Sequence, residues 1–233
     1  MPRSTSRSAA GGIVYESVQP RSVQIPAGKA MLAGDLMIPA GARGIVVFAH
    51  GSGSSRHSAR NRYVAGELQA GGLATLLMDL LTPAEEEADA ITAHVRFDIR
   101  LLAERLIAAS DWIAAQAETR PLMMGYFGAS TGAAAALVAA AARANAVGAV
   151  VSRGGRPDLA GDALAYVRAP TLLIVGGHDL QVIDLNEDAM NRLQCEKQLR
   201  IVPGATHLFE EPGTLEKVAD LARDWFENHL GVA

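Results

Sequence analysis

The chain has 233 residues, 49% hydrophobic and 20% charged, enough apolar side chain to bury the core of one large domain and too much for general disorder. Its formal net charge of −4 argues against a nucleic-acid-binding surface, and its lone cysteine, Cys195, excludes an internal disulfide and a cysteine zinc cluster. No apolar run approaches the roughly 18 residues of a membrane span, so the composition reads as that of a soluble, cytoplasmic protein.

Residues 1–20 open with "MPRSTSRSAAGG", which is basic and serine-rich without the apolar core of a secretory signal. They read as a flexible tail ahead of a single domain over 21–233, and a targeting role for them stays open. "RSVQI" and "AMLAGDLMIP" then read as two strands joined by the turn "PAGK". "GIVVFAH" is a continuous apolar run that stops at a glycine loop, as a strand buried on both faces would. A helix over "SARNRYVAGELQAGG" leads to the buried strand "LATLLMD", which ends at Asp79. "TPAEEEADAITAHV" reads as an acidic connection with a solvated helix start, and a long helix follows through "RFDIRLLAERLIAASDWIAAQ". Further strands are expected at "PLMMGYF", "AVGAVVSR", "APTLLIVGG" and "KQLRIVP", with a helix after each.

This alternation implies a mostly parallel sheet covered by helices on both faces. Ligand sites in such sheets lie beyond the carboxyl ends of the strands. "GYFGASTGAAAA" falls at one of those ends and places Ser130 between Gly128 and Gly132. A serine hydroxyl needs an adjacent base to act as a nucleophile and must stand clear of the sheet. A tight strand-to-helix turn raises it clear, and side chains two residues to either side would collide in that turn. His207, after "KQLRIVP", and Asp179, after "APTLLIVGG", supply a base and an acid at the same edge, in the chain order Ser, Asp, His. The helix beginning at Thr131 offers free N–H groups to an oxyanion, and the loop "AHGSGSS" offers a second donor, the Ser52 amide. His50 is read as a brace for that loop. Asp79 is the rival acid, since it also ends a strand.

"HGSGSS", "GASTG", "GGHD" and "GATHLF" together resemble, in order and place, the motifs of the α/β-hydrolases, and among these the dienelactone-hydrolase-like group. The resemblance runs from about Val23 to Leu230. It implies an α/β-hydrolase fold, a Ser130–His207–Asp179 triad, and no metal or organic cofactor, and the short stretch of residues 153–168 between two expected strands leaves no room for a large cap domain. The dienelactone hydrolases themselves carry cysteine at the nucleophile, so Ser130 shifts the implied activity to the hydrolysis of small-molecule esters. Their substrates carry a carboxylate. Arg153, just past the strand "AVGAVVSR", and Arg56, on the far side of "GSGSS", are candidates to bind such an anion. Arg153 pairing with Asp158 is the alternative. Two other readings stay open: acyl transfer or perhydrolysis on the same triad, and a non-enzymatic small-molecule binding protein. A homodimer is left open too. A phosphate-binding P-loop is excluded, because no lysine lies between Lys29 and Lys197.

Overall fold

The computed structural model describes residues 19–231, so the expected N-terminal tail falls almost wholly outside the described residues. The first two strands, β1 (Arg21–Ala27) and β2 (Ala30–Met37), form an antiparallel hairpin in which Ala27 faces Ala30 across Gly28 and Lys29. β3 (Gly44–Ala49), β4 (Ala74–Met78), β5 (Met123–Ala129), β6 (Val147–Arg153), β7 (Thr171–Gly176) and β8 (Lys197–Val202) run parallel to one another. The sheet order is β1-β2-β4-β3-β5-β6-β7-β8.

The chain therefore leaves β3 toward one edge, through β4, and then crosses back to lay β5 on the other side of β3. That reversal opens a crevice at the carboxyl ends of β3 and β5, the place where doubly wound sheets bind ligands. Ala49 and Gly128 are register partners there, which brings the loops after both strands together.

β3, β4 and β7 are buried along their whole length, which is why their sequences run apolar without alternation. On one face α1 (Ala59–Ala70) and α6 (Thr214–Leu230) cover Val46, Phe48, Phe127 and Val151 with Val64, Leu68, Val218 and Phe226. On the other, α3 (Ile99–Ala115) and α4 (Thr131–Ala142) cover Val47, Leu76 and Tyr126. α5 (Leu180–Arg192) packs on that second face too, through Ala189. Fully burying a Leu, Val or Phe side chain stabilises by roughly 1.5–3 kcal/mol, so both layers are needed to hold the sheet. α4 contributes almost only alanine, and Ala133 to Ala136 have no exposed surface. Small side chains let this helix sit close to β5 directly after the turn.

The acidic segment differs from its expectation. It is a helix of its own, α2 (Pro83–Thr92), separate from α3. Thr82 accepts from the Glu85 N–H while the Glu85 carboxylate accepts from the Thr82 N–H, a capping box of the kind that adds about 1 kcal/mol. A short 3-10 turn, Val95–Phe97, follows, and the Asp98 side chain caps α3 by accepting from the Leu101 N–H at 3.0 Å. Between β6 and β7 there is only a 3-10 segment, Pro157–Tyr166, and no cap domain. Among the described residues, no helix is long and apolar enough to cross a membrane.

Candidate active site

Ser130 lies between the last residue of β5 and the first of α4, at φ 51° and ψ −122°. A non-glycine residue in that region stores about 1–3 kcal/mol of strain and persists only where its surroundings enforce it. The enforcement is visible on both sides. A Cβ on Gly132 would collide with the carbonyl oxygens of Ala49 and His50, and one on Gly128 with the backbone of Ala133. The glycine spacing is thus a requirement of close backbone approach between β3, β5 and α4. The Ser130 N–H donates to the Arg153 carbonyl at 3.3 Å, and Gly51 passes against its side chain.

Asp179 is the N-cap residue directly before α5, and His207 lies in the loop between β8 and α6. Their side chains meet: His207 Nδ1 lies 2.6 Å from Asp179 Oδ2. With the Nδ1 proton given to the carboxylate, Nε2 carries the free lone pair. The loop is held by Glu211, whose carboxylate accepts from the Thr206 N–H at 3.1 Å, and the Thr206 hydroxyl together with that N–H lowers the Glu211 pKa. Gly154 joins the two halves of the site. Its predecessor, Arg153, bonds the Ser130 N–H, and the space beside its own Cα is 3.0 Å from the His207 carbonyl oxygen. Ser130 Oγ makes no hydrogen bond among the described residues.

The loop after β3 is braced as expected. His50 is buried, with Nδ1 against the Gly51 carbonyl at 2.9 Å and Nε2 accepting from the Leu80 N–H at 3.0 Å. Burial pushes its pKa down, which keeps the ring neutral and able to accept that bond. Ser52 departs from expectation in one respect. Its N–H is not free but donates to Thr131 Oγ1 at 3.1 Å, and its hydroxyl lies 3.0 Å from the same oxygen.

A cavity of about 320 Å³ extends from this loop beneath α2. Gly51, Ser52 and Thr131 form its end nearest Ser130, Leu80 and Leu102 its apolar wall, and Glu86 and Arg96 its polar one. The Ser130, Asp179 and His207 side chains do not line it. It approaches Ser130 through Gly51 and Thr131, the neighbours of Ser130 in space and in sequence. Burial and the charge of Asp79 push the Glu86 carboxyl up. The acidic segment is largely exposed, as a solvated helix start should be, and its inner side, where Asp89 is buried, also forms a wall of the cavity. The Thr-Pro-x-Glu order at Thr82–Glu85 was the signal that a helix starts there.

The two arginines separate. Arg56 is not free to grip a substrate anion: its backbone N–H and guanidinium bind Asp79, and Asp35 lies 3.5 Å from its Nε. The same pairing occupies Asp79, the rival acid. Arg153 is 7% exposed and makes no ion pair among the described residues; Asp158 pairs with Arg156 instead. Arg153 has one long hydrogen bond, 3.4 Å to Asn61 Oδ1, and its guanidinium lies 5.9 Å from the Phe209 ring centre. Burial and the nearby Arg60 charge lower its pKa to about 10.

A mostly parallel eight-stranded sheet that presents a serine from its switch point is the architecture of the α/β-hydrolases, and this chain has that fold. Within that class it belongs to the dienelactone hydrolase family, whose sequence profile matches residues 32–230. A dienelactone hydrolase from Anabaena variabilis is 62% identical, with a TM-score of 0.89 over 91% of this chain and 99% of that one. Est1E from Butyrivibrio proteoclasticus shares the fold alone, at 15% identity and a TM-score of 0.74, over 89% of this chain and 98% of that one. A Mycobacterium tuberculosis protein, provisionally named a phosphoribosyl transferase, is 64% identical over 208 residues, 89% of this chain. The chain spans 46% of that relative's length.

Proposed function

We propose that this chain is a serine hydrolase that cleaves small carboxylic esters through an acyl-enzyme intermediate. The observation that carries the reading is the backbone of Ser130, held at positive φ at a strand-to-helix turn, which raises the hydroxyl clear of the sheet. On this reading His207 Nε2 takes the Ser130 proton as Oγ attacks the ester carbonyl, and Asp179 orients the ring and stabilises its cation. The Thr131 N–H, at the positive end of α4, receives the developing oxyanion together with a donor from the side of the β3–α1 loop. Water activated by His207 then releases the acid. Arg153 is the candidate to recognise an anionic group on the substrate, since a buried guanidinium with no carboxylate partner among the described residues favours an anion. The activity in the name of the mycobacterial relative is that of a protein about twice as long. The side chains described here are the nucleophile, base and acid of acyl transfer.

The test is labelling with a fluorophosphonate. The wild type should be modified at Ser130 and at no other serine. Ser130→Ala should escape labelling and lose ester hydrolysis by about 10⁶-fold, the usual loss for a triad serine. Retention of more than about one part in a hundred of the activity would reject the assignment, because a triad without its serine retains far less. Adding an alcohol or peroxide to the assay distinguishes hydrolysis from acyl transfer by whether acid, or new ester or peracid, accumulates.

A further inference from the structure

We infer that an ester is divided across Ser130: its acyl part enters the cavity beneath α2, and its alcohol part lies on an open apolar shelf formed by Leu180 and Leu208. This second subsite rests on the ester-hydrolase reading of Ser130 and takes an apolar alcohol, an arylmethyl or branched alkyl group.

The sheet order sets two sides. Ser130 follows β5, which lies between β3 and β6. The cavity lies on the β3 and β4 side, lined by the loops that follow those strands, from His50 to Ser55 and at Leu80 and Leu81. Asp179 and His207 lie on the other side, after β7 and β8. Their 2.6 Å contact brings the loops after those strands together, and the His178 N–H ties them again by donating to the Ala205 carbonyl at 2.9 Å.

The order of bond changes assigns the sides. As Ser130 Oγ bonds to the acyl carbon, its proton passes to His207 Nε2. The bond from that carbon to the alkoxy oxygen then breaks, its electron pair stays on the oxygen, and the oxygen takes the Nε2 proton. The alkoxy oxygen must therefore lie within hydrogen-bond reach of His207, so the group it carries begins on the β7 and β8 side. The carbonyl oxygen turns to the Thr131 N–H at the start of α4. The acyl chain is left with the cavity, whose near end is Gly51, Ser52 and Thr131.

The β7 and β8 side is fitted for an apolar group. Leu180 directly follows Asp179 and is 70% exposed; Leu208 directly follows His207 and is 40% exposed. Neither serves the core: α5 buries Val182, Asn186 and Ala189, and the loop after β8 buries Ala205 and Phe209. One exposed leucine is ordinary, but these two stand beside the acid and the base on loops that meet. An alcohol group resting there takes its own apolar surface and theirs out of water. The same open side lets the alcohol depart and water reach His207, whose side chain is partly exposed.

The test sets benzyl acetate against methyl acetate, whose alcohols differ little in acidity, and methyl butyrate against methyl acetate. The first ratio of kcat/KM reads the alcohol side and the second the acyl side. The proteins are the wild type, Leu180→Ser, Leu208→Ser and the double variant, with Tm measured for each; both positions are exposed, so the variants should fold. The wild type should favour benzyl over methyl acetate about tenfold, which is what burying roughly 60 Å² of apolar surface supplies. The double variant should bring that ratio close to one, each single variant part of the way, and the butyrate-to-acetate ratio should hold. A wild-type benzyl-to-methyl ratio near one, or one that the double variant leaves in place, overturns the assignment. A butyrate-to-acetate ratio that falls instead reverses the two sides and overturns it as well. If the leucines cover a second copy of the chain, the double variant lowers the sedimentation coefficient and spares both ratios, which also overturns it. A wild type that takes no fluorophosphonate label at Ser130 removes the hydrolase reading and this subsite with it, whereas a labelled wild type with an unmoved benzyl-to-methyl ratio removes the subsite alone.

Discussion

Replacing Asp179 by Asn should nearly abolish ester hydrolysis while leaving the fold intact. The 2.6 Å contact sets the reason. A carboxylate at that distance accepts the Nδ1 proton, fixing the tautomer whose Nε2 is a base. An amide turned to donate there would instead select the tautomer with its proton on Nε2, which cannot take the proton from Ser130. Loss of the acid in a serine triad lowers kcat about 10⁴-fold, equivalent to about 5.4 kcal/mol of transition-state stabilisation. The His207 side chain is 40% exposed and that of Asp179 16%, so the direct charge attraction is screened and the tautomer effect carries most of the loss. Asp79→Asn provides the contrast. Its carboxylate is bound by the Arg56 N–H and guanidinium, so its loss should lower Tm with activity largely retained. The assay is kcat/KM on p-nitrophenyl acetate beside a thermal melt for each variant. An active Asp179→Asn beside a dead but folded Asp79→Asn would refute the reasoning, because it would make Asp79 the acid.

Short acyl chains should be preferred, since the cavity holds about 320 Å³ and no cap domain extends it; a higher kcat/KM on long-chain than on two-to-four-carbon esters would contradict this. His50 predicts a pH effect on stability. Its folded pKa lies below the ordinary 6.5, so the stability tied to its neutral form is fully present above about pH 6.5 and is lost as the pH falls toward the folded value. Urea unfolding between pH 7.5 and 5.5 should therefore weaken the wild type more than His50→Gln, and equal losses would remove His50 as the cause. Arg153→Met should lower kcat/KM for a carboxylate-bearing ester by about 10- to 100-fold, the worth of a charged hydrogen bond, and leave its neutral counterpart unchanged. An equal effect on both esters would show that Arg153 does not recognise an anion.

Much of this protein is legible before any coordinates. Strands buried on both faces are written as unbroken apolar runs, as in "GIVVFA" and "TLLIVG", because each residue there must satisfy a helix layer. The elbow is legible because its constraint is local: Gly128, Ser130 and Gly132 all lie in one turn, and the backbone geometry admits little else. That Asp179 and His207 meet is legible from order, since each follows a strand and parallel strands end at one edge. What depends on pairing between separate elements is not written in any window of sequence. Arg56 and Asp79 meet because β3 and β4 are parallel neighbours whose carboxyl ends coincide, and the pairing withdraws both from the substrate. Arg153 makes no ion pair among the described residues: Asp158 pairs with Arg156, and the Arg153 guanidinium lies against Asn61 and Phe209 instead. α2 becomes a wall because the cavity lies beneath it, although its own sequence is that of a solvated helix. The Ser52 amide turns to the Thr131 hydroxyl across two loops that only the β3–β5 register brings together. Local backbone constraints are thus read from the chain directly, whereas the partner of each polar side chain is decided by which strands lie side by side.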